Sequence, residues 1–255
     1  MDQFMSSSSL KSAAKGQLLG KYGSVAVITF LMGLCLLPVS MLISFLIGTS
    51  SLISVLLYCS AQFLLQILAG FFLAGEAYVY LTVANGAAPS IKDLFRCFGD
   101  DASKVTYVQA VAGGISVLCS LPAMILGIFT LNSLPQLTEE ALASDEISGD
   151  ALLFLIYAII YVAGSIISLF VDLMLSQRFY LMMDFPEYSA SQLLKMSISL
   201  MKGNKSRLFY IMISFIPMFF LCFLSCGISL IWLRPYMQTT YANFYLDLVR
   251  KRKNG

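Results

Sequence analysis

The chain has no histidine and a single tryptophan, and charged residues make up only 12% of its 255 positions. Without histidine it can build no HExxH zinc site, no Ser–His dyad and no Cys–His pair. Its six cysteines (Cys35, Cys59, Cys97, Cys119, Cys222 and Cys226) form no CxxC and show neither disulfide nor zinc spacing. Cys222 and Cys226 share a helix face, a pattern that reads as apolar packing. No Walker A or Gly-rich nucleotide loop is present. These absences leave an enzyme as the least supported class, with no cofactor and no metal expected. The net charge of +2 is too small to suggest a nucleic-acid partner.

Charge is scarce where a soluble domain needs it. Such a domain carries about 25% charged residues, whereas this chain is 58% hydrophobic with a mean hydropathy of +0.82. Basic residues are also missing from one place in particular. Thr130 to Ile156 holds Glu139, Glu140, Asp145, Glu146 and Asp150 but no Lys or Arg, so all sixteen basic residues fall outside it. Lys and Arg are retained on the cytoplasmic side during insertion. The pattern predicts a protein of the cell membrane, with the acidic stretch outside and the basic segments in the cytoplasm.

A spanning helix takes about 20 apolar residues. Residues 23–48, 52–84, 105–131 and 151–183 qualify directly. The first run is longer than a signal peptide's apolar region of about 7–15 residues, so this helix is expected to stay as an anchor. A fifth run, 207–226, precedes the more polar 228–248 and the basic tail Arg250-Lys251-Arg252-Lys253. A reversal near Cys226-Gly227 makes 228–248 a sixth span and returns the tail to the cytoplasm. Its stripe Leu230, Leu233, Met237, Phe244 and Leu248 would then face lipid, and its Thr, Asn and Gln would bond across the bundle. The expectation is one all-α, polytopic membrane domain over residues 1–255. It has six transmembrane helices in three hairpins, with both termini cytoplasmic.

Between the spans, residues 8–20, 90–98 and 189–203 are amphipathic, and Ser189 and Gln192 have capping-box spacing. These segments are expected to lie in the headgroup layer, with basic residues against anionic lipid. Each precedes a Gly-polar pair (Gly20-Lys21, Gly99-Asp100, Gly203-Asn204) and a hairpin whose first helix carries a proline: Pro38, Pro122 and Pro217. This suggests a threefold repeat. The small-xxx-small pairs Gly70/Ala74 and Ala110/Gly114 read as close helix contacts.

Ionisable and amide groups within spans mark a site by default. On the second span Gln62, Gln66, Glu76 and Tyr80 share one face; on the fourth, Tyr161, Ser165, Ser168, Asp172 and Ser176 do so. Glu76, Asp172 and Arg178, with Gln62 and Gln66, are therefore candidates for a cytoplasm-facing polar pocket or for a structural brace. Lys202, Lys205, Arg207 and Arg234 are candidate headgroup contacts. Arg234 follows closely on the expected reversal and would snorkel outward or bond to carbonyls freed by Pro235, with a bridge to Asp172 disfavoured.

Several stretches carry resemblances. SQRFYLMMDFPEYSASQLLKMSISLMKGNKSRLFYIMISFI, CGISLIWLRPYMQTTYANFY, LKSAAKGQLLGKYG and ANGAAPSIKDLFRCF resemble a bacterial membrane-protein family known only as domain of unknown function 975. The resemblance covers most of the chain and implies topology without an activity. Arg178, Pro186, Glu187, Ser197, Lys202 and Gly203 are similar to a sequence in the membrane domain of some glycerophosphodiester phosphodiesterases, although no catalytic domain of that kind is present. CFGDD around Asp100 is faintly similar to the motif of intramembrane aspartyl proteases, with Cys97 in place of the first glycine. Hairpins with prolines also resemble mitochondrial carriers, but Pro38, Pro122 and Pro217 lack the acid and base that follow in the carrier signature. A non-enzymatic accessory, scaffold or envelope-protection protein fits best. It would sit in the lipid bilayer, against anionic headgroups on the cytoplasmic side, with a membrane-protein partner as a further candidate contact. The alternative is a small transporter or a lipid- or amphiphile-binding protein.

Overall fold

Long apolar runs with few helix breakers become long helices. The computed structural model describes residues 4–47, 51–99, 101–140, 149–225 and 227–254, and within these it is all-helical. The elements are α1 (Ser7–Leu18), α2 (Tyr22–Leu46), α3 (Leu52–Ala84), α4 (Ile91–Leu94) with a 3-10 turn at Arg96–Phe98, and α5 (Ala102–Glu140). They continue with α6 (Gly149–Leu175), α7 (Arg178–Asp184), α8 (Ala190–Met201), α9 (Lys205–Ile213), α10 (Ile216–Leu224) and α11 (Leu230–Asn254). Among the described residues five stretches are long and apolar enough to cross a bilayer: Tyr22–Leu46, Leu52–Ala84, Ala102–Thr130, Leu152–Asp184 and Lys205–Leu224. They suit a membrane-embedded protein.

Several boundaries differ from the sequence pattern. The acidic stretch opens as helix, because α5 runs on to Glu140 and α6 starts at Gly149; Asp145 and Glu146 lie outside the described residues, as do Asp100 and Cys226. The fourth run breaks at Ser176–Gln177, where the Ser176 hydroxyl donates to Leu173 O at 2.8 Å. The fifth divides at Ser214–Phe215, because Pro217 in the first turn of α10 has no N–H to continue the ladder. Lys11 Nζ donates to the Ser214 carbonyl there, at 3.1 Å.

The chain forms two compact units. The first comprises residues 1–36, 68–109 and 173–255. Within it α11 is the buried element: Leu233, Tyr236, Thr239, Thr240, Asn243, Phe244, Tyr245 and Leu248 are all buried. This corrects the lipid-facing stripe expected for 228–248, since Leu233, Phe244 and Leu248 pack against protein while Leu230 is exposed. The low hydropathy of α11 is tolerated because its hydroxyls are satisfied locally. Thr239 and Thr240 donate to Pro235 O and Tyr236 O, each at 2.8 Å, one turn back on their own helix.

The amphipathic segments also pack on protein. On α1, Leu10, Ala14 and Leu18 recur at one-turn spacing and are fully buried, with α1 lying along α11. On α8 the capping box forms, Gln192 Oε1 accepting from Ser189 N at 2.9 Å, and Leu193, Ser197, Leu200 and Met201 are buried. At α4, Leu94 and Cys97 are buried, and Phe95 and Phe98 meet Phe71 and Phe72 ring to ring. Here the apolar faces expected in the headgroup layer seal the protein's own core. Gly20 and Gly203 both adopt left-handed φ (76° and 81°), whereas Gly99 has φ −94°, so two of the three expected repeat junctions share a turn.

The second unit comprises residues 37–67 and 110–172. Its surface is apolar: Phe45, Ile53, Leu64, Leu118 and Ile166 are each more than 60% exposed. Gly164 lies where an added Cβ would stand 2.5 Å from the Cys119 carbonyl oxygen, and Gly113 packs on the Gln66 side chain. Gly114, by contrast, has only one atom within 4 Å of such a Cβ.

Candidate functional site

An acid buried in an apolar helix needs a partner. Glu76 is 2% exposed on α3. Arg234 of α11 answers it with two hydrogen bonds, Nε to Oε1 at 3.2 Å and Nη2 to Oε2 at 3.1 Å. This fork-to-carboxylate arrangement fixes both side chains. Arg234 Nη2 also reaches Met32 Sδ of α2 at 3.5 Å, and nearby Thr29 and Tyr80 share a hydroxyl–hydroxyl bond of 3.0 Å. Three helices thus meet at one polar knot inside the first unit.

The snorkelling expected of Arg234 is corrected by this contact. That expectation assumed α11 and α3 begin at one outer plane. The pairing puts Arg234 beside Glu76, so α11 starts about 6 Å before that pair, roughly level with Phe72 and about 30 Å further along than the start of α3.

Farther along, Gln17 Nε2 donates to Ala84 O at 2.9 Å and to Asn243 Oδ1 at 3.1 Å, and Asn243 Nδ2 donates back to Gln17 Oε1 at 2.8 Å. The contacts Glu76–Arg234 and Ala84–Gln17–Asn243 make α3 and α11 parallel. Arg207 bonds Asp247 at 2.9 Å and stacks on Phe4 with its centre 3.9 Å from the ring.

Arg178 takes a different role from Glu76. Its Nη1 donates to Leu175 O at 3.0 Å, closing the end of α6, and its Nη2 donates to Gln109 Oε1 at 3.1 Å. Gln109 crosses directly over Gly70, where an added Cβ would be 2.6 Å from its Cγ. Sequence reading missed Gln109; its signal was an amide at a buried helical position opposite a small residue. In the second unit, Gln62 Nε2 donates to Tyr58 Oη at 3.1 Å and Ser168 meets Ser116 at 3.0 Å. Tyr161, Ser165 and Asp172 are exposed on that unit. Glu76 and Arg178 thus belong to the first unit, and Gln62, Gln66 and Asp172 to the second.

Other polar groups of the first unit serve as caps. Lys21 Nζ donates to Gly86 O at 2.5 Å past the end of α3, and Lys104 Nζ donates to Pro186 O. Burial, followed by repulsion from Lys15, holds the Lys11 amine below its usual range. Burial first, then Asp101, pushes the Cys97 thiol up to about 11, which leaves it a poor nucleophile near neutral pH. Two adjoining cavities with volumes of about 260 and 500 Å³ share Ser199 and Lys202 in their walls.

A family model described as "Protein of unknown function (DUF975)" matches residues 1–253. The chain belongs to this family. No curated protein and no solved structure matches it. Residues behind the more distant likeness have structural roles in this DUF975 chain: Arg178 closes α6, the Pro186 carbonyl accepts from Lys104, Ser197 Oγ donates to Met174 O at 2.9 Å, and Gly203 makes a left-handed turn.

Proposed function

We propose that this DUF975 protein is a non-enzymatic component of the cell membrane, an accessory, scaffold or envelope-protecting protein whose intramembrane charges act as a brace. The supporting observation is the Glu76–Arg234 pair, in which each charge is consumed by the other at a point where α2, α3 and α11 meet. Six crossings in three hairpins, with both termini in the cytoplasm, accompany this reading. The parallel course of α3 and α11 supports it, because a chain that re-enters alongside α3 ends on the side where α3 ends.

The closing hairpin is the short one. From Gly227 to Asn243 the chain rises about 24 Å, about 6 Å less than a hydrocarbon core of about 30 Å, so its turn falls within the apolar layer.

The test is a charge swap. Arg234→Ala leaves the buried Glu76 carboxylate without its partner and is expected to cost about 3–5 kcal/mol of stability, whereas Glu76→Ala leaves the half-buried Arg234 and is expected to cost less. Glu76→Arg with Arg234→Glu is expected to recover most of the folded protein and the wild-type phenotype together. Recovery of protein level without phenotype would move the pair from brace to binding site.

A second reading, lipid or amphiphile binding, is favoured by the lysine-lined cavities around Lys202.

A further inference from the structure

Among the described residues five cations surround the two adjoining cavities of the first unit: Lys195, Lys202 and Lys205 in the larger, Lys202, Lys251 and Arg252 in the smaller. Among the described residues no acid lines either one. Lys202 and Ser199 stand in the wall between them, both exposed. The cluster is assembled from the last turns of α8, the Lys202–Asn204 turn, the start of α9 and the end of α11. These segments are fixed by burial of Leu200, Met201 and Leu248.

Like charges gathered around one cleft repel, and an anion between them offsets the repulsion. Ammonium groups bind phosphate as point charges without demanding a planar fork. Cavities of about 260 and 500 Å³ admit single small groups and are too small for a folded partner. Their shared wall favours two anionic groups on a short spacer, one in each cavity.

We infer that this cleft is a binding site for an anion bearing two linked phosphates. The site rests on the second reading above and leaves the brace untouched. Two sources supply this chemistry: a bis-phosphate lipid headgroup of the inner leaflet, or a free pyrophosphate-type anion.

The full chain is reconstituted in phosphatidylcholine nanodiscs, with and without cardiolipin, and binding is read by native mass spectrometry. Inorganic pyrophosphate is titrated by calorimetry into the cardiolipin-free discs. At about 1 kcal/mol per lysine near a charged surface, Lys202→Gln is expected to bind about fivefold more weakly. On the same scale the triple variant Lys195→Gln/Lys202→Gln/Lys251→Gln loses on the order of a hundredfold. Lys92→Gln, on the exposed face of α4, is the control and is expected to bind as wild type. Circular dichroism checks that each variant is folded.

Cardiolipin retention alone assigns the site to lipid, pyrophosphate binding alone assigns it to a free anion, and either result upholds the site. Two outcomes overturn it: binding of neither probe, or losses in Lys92→Gln equal to those in Lys202→Gln, which mark a diffuse surface charge. The Glu76/Arg234 swap serves as a cross-check, because cleft binding persists in that variant whether or not the brace reading holds.

Discussion

At Gly75 of α3, the backbone of α4 rests on the helix. An ideal Cβ there would stand 2.0 Å from the carbonyl oxygen of Leu94, and neither atom can move without moving its element. Gly75→Ala is therefore expected to destabilise the protein by about 1–3 kcal/mol, the range for overpacking. Gly16→Ala, with open space at its Cβ on α1, is expected to be neutral or to gain about 0.5–1 kcal/mol. Unfolding of both variants in detergent against wild type checks the contrast. Equal effects at the two positions would count against the close contact.

The chemistry of Glu76 was legible from sequence, because an acid in an apolar run demands a partner. Which partner was not legible, since periodicity gives the face of a helix but not the axial offset between helices. Arg234 and Glu76 meet only because the closing hairpin is shorter than α3.

Helix by helix, the sequence marked α3 at both ends and the amphipathic character of α1 and α8, because apolar length and capping chemistry are local. It could not show what the amphipathic faces meet, since a face suited to lipid is equally suited to another helix. Leu10, Ala14 and Leu18 lie against protein with no exposed surface. Leu18→Ala is thus expected to cost about 2–5 kcal/mol, as a core truncation does. A purely interfacial helix would lose vesicle affinity and leave thermal stability unchanged, so a melting curve separates the two.

The closing hairpin offers its own probe. Trp232 is the sole tryptophan, 55% exposed on the protein surface and five residues past the turn at Gly227. In bilayers its fluorescence is expected to be quenched by lipids brominated along the acyl chain and little affected by aqueous iodide. Strong iodide quenching would place the hairpin outside the apolar layer.

For the whole chain, charge carries what packing does not. The span Thr130–Ile156 has acids and no bases, while the basic residues cluster at α1, around α4, at the α8–α9 turn and on the tail. Many of those cations are used as caps (Lys11 on Ser214, Lys21 on Gly86, Arg178 on Leu175), a role that composition does not reveal. The tail is different: Arg250, Lys251 and Arg252 are exposed at the end of α11. The orientation of α11 decides where that charge is delivered.

Single cysteines introduced at Asp145 and at Asn254, in a variant with the six native cysteines replaced, test this with a membrane-impermeant maleimide on intact cells. Labelling at 145 is expected without permeabilisation, and labelling at 254 only after it. Labelling at 254 in intact cells would contradict the return of α11 alongside α3 to the cytoplasmic side.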